Sequence, residues 1–352
     1  MFTRTDRDSG TAARSDNGVK LIRTMNTTKQ LAIFLGLTWL ISWPLWILSG
    51  VLGRGSAATY DFQWWIAQLG VFAPSLSAVI LSGFSSKVRR NNSLRLLLLF
   101  FCILAVGIQI ASSASHSVEE FPLLTSGLVL TMALVSLIYF SPSNHFLLNP
   151  ATGEPQRKGN TKWVLLATFG LPVAFFLCWL PAGNSGSGWS ISSLDAGWPG
   201  FLELFILNFC RNLNYGGSMG EELGWRGYCL PLLLRNSTPL QASVILGFIQ
   251  ALWHLPIDLT SSNMPLFAVF SRLVWAIPVT FIFTWIYLRS PANLLTALLL
   301  HTSVNVLPDI GFSNYDGTMP VFVLIVIVLA IFVGRTPIMQ AGNTTLAHSK
   351  VR

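Results

Sequence analysis

Charged side chains are scarce in this chain of 352 residues, where they make up 10% of the sequence against 52% for apolar residues. A soluble globular domain usually carries about 25% charged residues. So little polar surface argues against a soluble domain, and the composition predicts an integral membrane protein.

Cysteine is also rare, with four residues at Cys102, Cys178, Cys210 and Cys229. No two of them form a CxxC pair, and all lie in or beside apolar segments. They are therefore predicted to be free, buried thiols.

Basic residues are nearly absent from alternate loops. Lysine and arginine cluster before the first apolar run, after the second and after the fourth, whereas the loops between hold Asp61, Glu119, Glu120 and Asp195, with Arg54 as their only base. This positive-inside pattern predicts a multi-pass protein of the cell membrane with a cytoplasmic N-terminus. The net charge of +8 is thereby explained by orientation in the bilayer, and no nucleic-acid partner is expected.

Long apolar runs, in contrast, are abundant, and many are near the length of about 20 residues that spans a bilayer as a helix. They predict an all-α, polytopic membrane helix bundle of about 8–11 transmembrane helices. The predicted segments are Leu31–Gly53, Phe62–Phe84, Leu94–Ser112, Phe121–Phe140, Trp163–Ala182, Trp198–Asn214, Leu240–Pro256, Phe267–Leu288, Ala292–Leu307 and Met319–Val333, with a shorter piece at Leu223–Leu234.

The chain is expected to divide into five parts. These are a disordered cytoplasmic N-terminus (1–28), N-terminal transmembrane helices (29–197), a helical core that carries the functional residues (198–310), a final transmembrane helix (311–334) and a polar tail (335–352). Translation could start at Met1 or at Met25, because the first 24 residues are polar and aperiodic.

Ionisable residues inside apolar helices are costly and mark functional sites. "GGSMGEELGWRGY" carries Glu221, Glu222 and Arg226. Glu222 and Arg226 stand four residues apart and can pair, whereas Glu221 points about 100° away around the helix and is left for chemistry. The alternative is a solvated surface turn.

Two histidines follow in apolar helices, His254 in "GFIQALWHLP" and His301 in "LLLHTSVNV", and Asn305 shares the face of His301. Each could be a packing residue when taken alone. Together with Glu221, the set can activate a water molecule for hydrolysis. Glu221, His254 and His301 would equally suffice as zinc ligands, so the cofactor stays open between Zn²⁺ and none, with a metal-independent mechanism favoured.

These motifs resemble those of the CPBP family of intramembrane proteases, also called the Abi or CAAX-protease family. "EELGWR" is similar to its EExxxR motif, "WHLP" to the end of FxxxH, and "HTSVN" to HxxxN, over roughly residues 198–308. One position departs from the pattern, since Gln250 stands where the family has phenylalanine.

The resemblance implies an intramembrane endopeptidase that acts on a peptide or membrane-protein substrate. Glu221 would be the general base, Glu222 and Arg226 a supporting pair, with the roles of the two acids open to reversal. His254 would hold the water, and His301 and Asn305 would orient it or form the oxyanion site.

Three other functions fit parts of the sequence. "GGSMG" matches G-x-S-x-G with Ser218 as nucleophile, but that motif belongs to a strand–turn–helix, and its glycines more readily bend the backbone toward the acid-bearing helix. The intramembrane charges could form the relay of a proton-coupled transporter. A non-catalytic membrane scaffold or immunity protein is the third alternative.

Overall fold

The computed structural model describes residues 26–52, 60–83, 161–183, 205–206, 208–209, 212–213, 217–261, 265–290, 293–309 and 318–341. Within these residues the protein is all-α and contains no strand, as the sequence predicts. The segments Leu94–Ser112 and Phe121–Phe140, most of Trp198–Asn214, and the thiols of Cys102, Cys178 and Cys210 lie outside the described part. Cys229 is confirmed as a free, buried thiol.

Twelve helices are described, together with a five-residue π-helix at Trp225–Cys229 that joins α5 to α6. They are α1 (Thr27–Leu52), α2 (Tyr60–Val71), α3 (Ala73–Gly83), α4 (Thr161–Gly183), α5 (Ser218–Gly224), α6 (Leu230–Leu233), α7 (Pro239–Trp253), α8 (Leu255–Ser261), α9 (Pro265–Arg289), α10 (Asn293–Asp309), α11 (Thr318–Gly334) and α12 (Pro337–Gln340).

Two predicted segments are broken where a proline removes a backbone donor. The segment Phe62–Phe84 is observed as α2 and α3, because Pro74 has no N–H to bond back along the helix. The amide of Phe72 bonds instead to the carbonyl of Leu69 at 3.3 Å, which forms a tight turn. The segment Leu240–Pro256 likewise ends early, at Trp253, because Pro256 interrupts the helix around His254.

Small residues let α5 approach its neighbours closely. A Cβ atom at Gly224 would lie 2.5 Å from backbone atoms of Pro74, and one at Gly220 would lie 2.8 Å from the carbonyl oxygen of Val71. The hydroxyl of Ser75 also donates to the carbonyl of Met219 at 2.6 Å. The acid-bearing helix is therefore fixed directly against the backbone of the α2–α3 turn.

The outer surface of the bundle is apolar, as expected of a protein surrounded by lipid. Leu40 is 71% exposed, Leu266 81% and Phe332 71%. In the described part, α1 and α9 are long and apolar enough to cross a bilayer, and five further apolar stretches of 10–17 residues are shorter. The total of 8–11 crossings remains a prediction.

Candidate active site

The two acids lie at the start of α5, on neighbouring positions that face different partners. Glu222 is completely buried, and its Oε1 accepts a hydrogen bond from Arg226 Nη1 at 2.8 Å. The predicted ion pair at a spacing of four is thus confirmed, and the alternative of a solvated surface turn is wrong, because Arg226 is only 2% exposed. The guanidinium also lies 4.2 Å from the centroid of the Phe283 ring.

A second donor reaches the same carboxylate oxygen. Nδ1 of His301 lies 2.8 Å from Oε1 of Glu222. Since an ionised carboxylate only accepts, Nδ1 carries the hydrogen, and Nε2 is the atom that the ring presents to the other side. This Nε2 lies 3.9 Å from Oε1 of Glu221. Glu222 therefore joins Arg226 to His301 and fixes the imidazole beside Glu221.

Three functional atoms converge on one point next to Gly217. A Cβ atom at this residue would lie 3.1 Å from Glu221 Oε1, 3.2 Å from Asn305 Nδ2 and 3.3 Å from His301 Nε2. Gly217 has φ +114°, a backbone conformation that other residues rarely adopt. The glycine thus lets the chain turn into α5, as the sequence predicts, and also leaves the space between the three side chains open.

His254 occupies the break between α7 and α8. Its Nδ1 lies 2.8 Å from the carbonyl oxygen of Gln250, so Nδ1 donates and Nε2 is left for another partner. The ring stacks on Trp46, with centroids 5.6 Å apart and planes at 24°, and meets Trp253 edge-on at 4.6 Å. Its orientation is therefore set by a residue of α1 as well as by its own helix.

A cavity of about 270 Å³ connects these side chains. Five of the six predicted site residues line it, namely Glu221, Arg226, His254, His301 and Asn305. Glu222 lies behind it, bonded to Arg226 and His301. From α9 come four apolar side chains, Trp275, Ala276, Val279 and Phe283, and the charged side chain of Arg272.

Gln250 also lines the cavity, at the position where the sequence departs from the FxxxH pattern. Its Oε1 accepts a hydrogen bond from the Thr280 hydroxyl at 3.2 Å, which ties α7 to α9. The substitution of an amide for phenylalanine is thus accommodated by a polar contact. His254 still reaches the cavity.

Sequence reasoning missed several residues at this site. Gln68 of α2 lines the cavity and Trp46 of α1 supports His254, but nothing in the local sequence distinguishes either from other residues of its helix. Asp258 pairs with Arg272, which lines the cavity. The position of Asp258 in an apolar segment was the signal that could have identified this residue.

As the side chains stand, no three of His, Cys, Asp and Glu among the described residues lie close enough together to hold a metal ion. Nδ1 of each histidine donates to a fixed acceptor, which leaves Nε2 as the atom available to a zinc ion or to a water molecule.

Ser218, the alternative nucleophile, is completely buried, and its hydroxyl accepts a hydrogen bond from Thr302 at 2.9 Å. It follows Gly217 at the first position of α5, in a chain without strands in its described part. The residues that the structure describes around Ser218 therefore give no support to the strand–turn–helix that a serine nucleophile of this motif requires.

Comparison with known proteins places this site in a recognised context. Residues 198–307 match the family described as type II CAAX prenyl endopeptidase Rce1-like. The resemblance to the CPBP family is confirmed. The CAAX prenyl protease 2 of Methanococcus maripaludis is 28% identical over 93 residues, which are 24% of this chain and 34% of that protein. The chain thus spans about a third of the length of this curated relative.

All six site residues lie inside the CPBP-like segment, residues 198–307. Trp46, Gln68 and Val71 lie outside it, yet the first supports His254 and the other two line the cavity. The site is therefore built by the CPBP-like segment together with the N-terminal helices.

Proposed function

We propose that the protein is an intramembrane endopeptidase that hydrolyses a peptide bond with a water molecule activated by Glu221. The observation that supports this most directly is the convergence of a carboxylate oxygen, an imidazole nitrogen and an amide nitrogen within 3.1–3.3 Å of one point at Gly217. These three atoms therefore lie close together beside the cavity, where one water molecule within their reach can be deprotonated, oriented and stabilised by three different side chains.

The division of roles follows from which atoms are already engaged. Glu222 already binds Arg226 and His301 through one oxygen and is completely buried, so it serves as the anchor of the site. Glu221 lines the cavity and acts as the general base. Asn305 also lines the cavity, and a side-chain amide N–H is the kind of donor that stabilises a developing oxyanion.

The reaction consumes one water molecule. Its oxygen attacks the carbonyl carbon of the peptide while Glu221 takes its proton, and the carbonyl oxygen becomes an oxyanion that accepts a hydrogen bond from Asn305. When the C–N bond breaks, Glu221 returns the proton to the leaving nitrogen. His301 orients the water through Nε2, and His254 contributes a second imidazole at the cavity wall.

The cavity also indicates what kind of substrate enters. Four apolar side chains of α9, Trp275, Ala276, Val279 and Phe283, line it beside Arg272 of the same helix. A cavity lined by both polar and apolar side chains suits a peptide or membrane-protein segment with apolar side chains near the bond that is cut.

The decisive experiment compares the wild type with Glu221→Gln on a complex peptide mixture that includes apolar and prenylated peptides. The purified protein in lipid nanodiscs is incubated with the mixture, and new N-termini are identified by mass spectrometry. We expect cleavage by the wild type and a loss of roughly 100- to 10,000-fold in Glu221→Gln, the usual effect of removing a general base.

The matched control is Arg289→Gln, at the exposed C-terminal end of α9 beside Trp285. It should cleave at the wild-type rate. No cleavage by the wild type would favour the scaffold or transporter alternatives, and unchanged cleavage by Glu221→Gln would show that Glu221 is not the general base.

Metal dependence needs a separate measurement. We propose a metal-independent mechanism, because the side chain that joins Glu221 and His301 beside Gly217 is the amide of Asn305, which is a poor zinc ligand but a good donor to a water molecule or an oxyanion. Treatment of the active protein with chelator should leave the rate unchanged, and metal analysis should find less than one zinc per chain. If the protein contains one zinc ion per chain and is inactivated by chelator, the metal-independent mechanism is wrong and a zinc-dependent mechanism replaces it.

A further inference from the structure

We propose that Asp258 and Arg272 form a positioning pair that holds His254 at the cavity wall, an inference that rests on the proposed function. The pair is bidentate. Nη2 of Arg272 donates to Oδ1 of Asp258 at 2.8 Å, and Nε donates to Oδ2 at 3.1 Å. Two parallel bonds of this kind fix both distance and orientation.

Burial makes this contact different from an ordinary surface ion pair. The side chain of Asp258 is only 8% exposed and that of Arg272 is 35% exposed, and Arg272 lines the same cavity as Glu221 and His301. Exposed pairs contribute little, whereas the loss of one partner of a buried pair leaves a charge stranded. Without Arg272, the Asp258 carboxylate would therefore be buried without its cationic partner.

The pair connects the helix that follows His254 to the wall of the cavity. Asp258 lies one turn into α8, which begins directly after His254, and its amide bonds to the His254 carbonyl at 3.0 Å. Arg272 belongs to α9. A displacement of α8 from α9 would thus be transmitted to the backbone of His254.

The opposite side of α8 rests on α1. A side chain at Gly50 would overlap Thr260, so the two helices are in direct contact there. The hydroxyl of Thr260 bonds to the Pro256 carbonyl at 2.8 Å, within α8 itself. Trp43 of α1 also donates to the Trp253 carbonyl at 3.1 Å, and the bidentate contact with Arg272 adds a second directional constraint from α9.

The kinetic test uses Asp258→Asn, Arg272→Gln and the exchange Asp258→Arg with Arg272→Asp. We expect each single substitution to lower kcat at least tenfold with KM within twofold, because the imidazole is displaced while the apolar wall is kept. The exchange should return kcat to within about threefold of the wild type. Arg289→Gln, on the same helix, is the unaffected control.

A double-mutant cycle with His254→Ala identifies the route of the effect. If the pair acts through His254, Asp258→Asn should slow the His254→Ala variant by less than twofold, measured in single turnovers at high enzyme concentration. If the rate losses of Asp258→Asn and His254→Ala multiply in the double variant, the pair does not act through His254 and the proposal is wrong. The proposal is also wrong if Asp258→Asn or Arg272→Gln alone leaves the rate unchanged.

A measurement independent of catalysis separates this proposal from the proposed function. Carbethoxylation of His254 by diethyl pyrocarbonate, followed by peptide mass spectrometry, should become at least threefold faster in Asp258→Asn and Arg272→Gln, with no change at His301. Equal labelling of His254 in all variants would reject the positioning role. If no peptide is cleaved, the proposed function is wrong. The labelling rates would still show whether Asp258 and Arg272 hold His254 in place.

Discussion

At the scale of single residues, one carboxylate oxygen holds two side chains of the site in place. Oε1 of Glu222 accepts hydrogen bonds from Arg226 and from His301, each at 2.8 Å. The helix that carries the acids is thereby joined to α10. The carboxylate next to it, Glu221, lines the cavity, and it is the group that we propose as the general base.

Replacement of Arg226 tests this role of Glu222. We expect Arg226→Ala to destabilise the protein by about 3–5 kcal/mol, because the Glu222 carboxylate is left buried without its cation. The yield of monodisperse protein after detergent extraction should fall together with the activity. Glu221→Gln should instead lose activity at a normal yield, and a stable, active Arg226→Ala would contradict the buried anchor.

Gly217 provides a second prediction at this scale. The Gly217→Ala variant should be inactive, because the methyl group would occupy the point shared by Glu221, Asn305 and His301. It should also be less stable by roughly 1–2 kcal/mol, since alanine disfavours a positive φ. Activity and the thermal midpoint should be measured together, and full activity in a folded variant would show that water is activated elsewhere.

Local spacing explains which residues the sequence could identify. The pair of Glu222 and Arg226 was predictable because both lie on one helical face, four positions apart. Trp46 was not, because its contact with His254 joins residues more than 200 positions apart, and a tryptophan in an apolar helix is not distinctive. The catalytic roles of the six site residues remain predictions.

At the scale of helices, glycine positions determine how closely α5 lies against α3. Gly224 faces the backbone of Pro74, whereas a Cβ atom at Gly227, three residues later, would have its nearest neighbour at 3.6 Å, an ordinary contact distance. The two glycines therefore differ in what a methyl group would do, although they are close in sequence.

This contrast gives a matched pair of variants. Gly224→Ala should lower the thermal midpoint and the activity, because backbone atoms of α3 cannot move aside and α5 must shift. Gly227→Ala should be tolerated or should stabilise by about 0.5–1 kcal/mol, the usual gain for alanine over glycine inside a helix. Equal effects of the two variants in a thermal unfolding assay would show that the close approach of α5 to α3 is unimportant.

The sequence contains a signal for each helix break, but the continuous apolar run around it favours the prediction of one long helix. Pro74 and Pro256 each remove a backbone donor, but an unbroken apolar run favours one continuous helix, so both segments were predicted too long. The break at Pro256 matters most, because it places His254 between two helices instead of within one. The fold class, by contrast, followed from the composition together with the long apolar runs.

At the scale of the whole molecule, the apolar outer surface determines where the protein is found. We expect it to stay in the membrane pellet after alkaline carbonate treatment and to be released only by detergent, because side chains such as Leu266 and Phe332 are exposed on the outside of the bundle. Immunoblots of pellet and supernatant test this, and release by carbonate alone would contradict an embedded bundle.

Orientation in the membrane is a separate prediction. The basic residues before α1 predict a cytoplasmic N-terminus. Green fluorescent protein fused there should fluoresce in a bacterial host, whereas alkaline phosphatase fused at the same place should be inactive. The reverse result would invert the topology of α1.

The contact of Trp46 with His254 limits which N-terminal helices can be combined with the CPBP-like segment. The aromatic support of this histidine comes from α1, and Gln68 of α2 lines the same cavity, although both residues precede the CPBP-like segment by more than 100 positions. A chimaera that joins this segment to the N-terminal helices of a relative would therefore inherit a different cavity wall. Residues outside the CPBP-like segment thus shape the cavity, and substitutions far from the three motifs should change it.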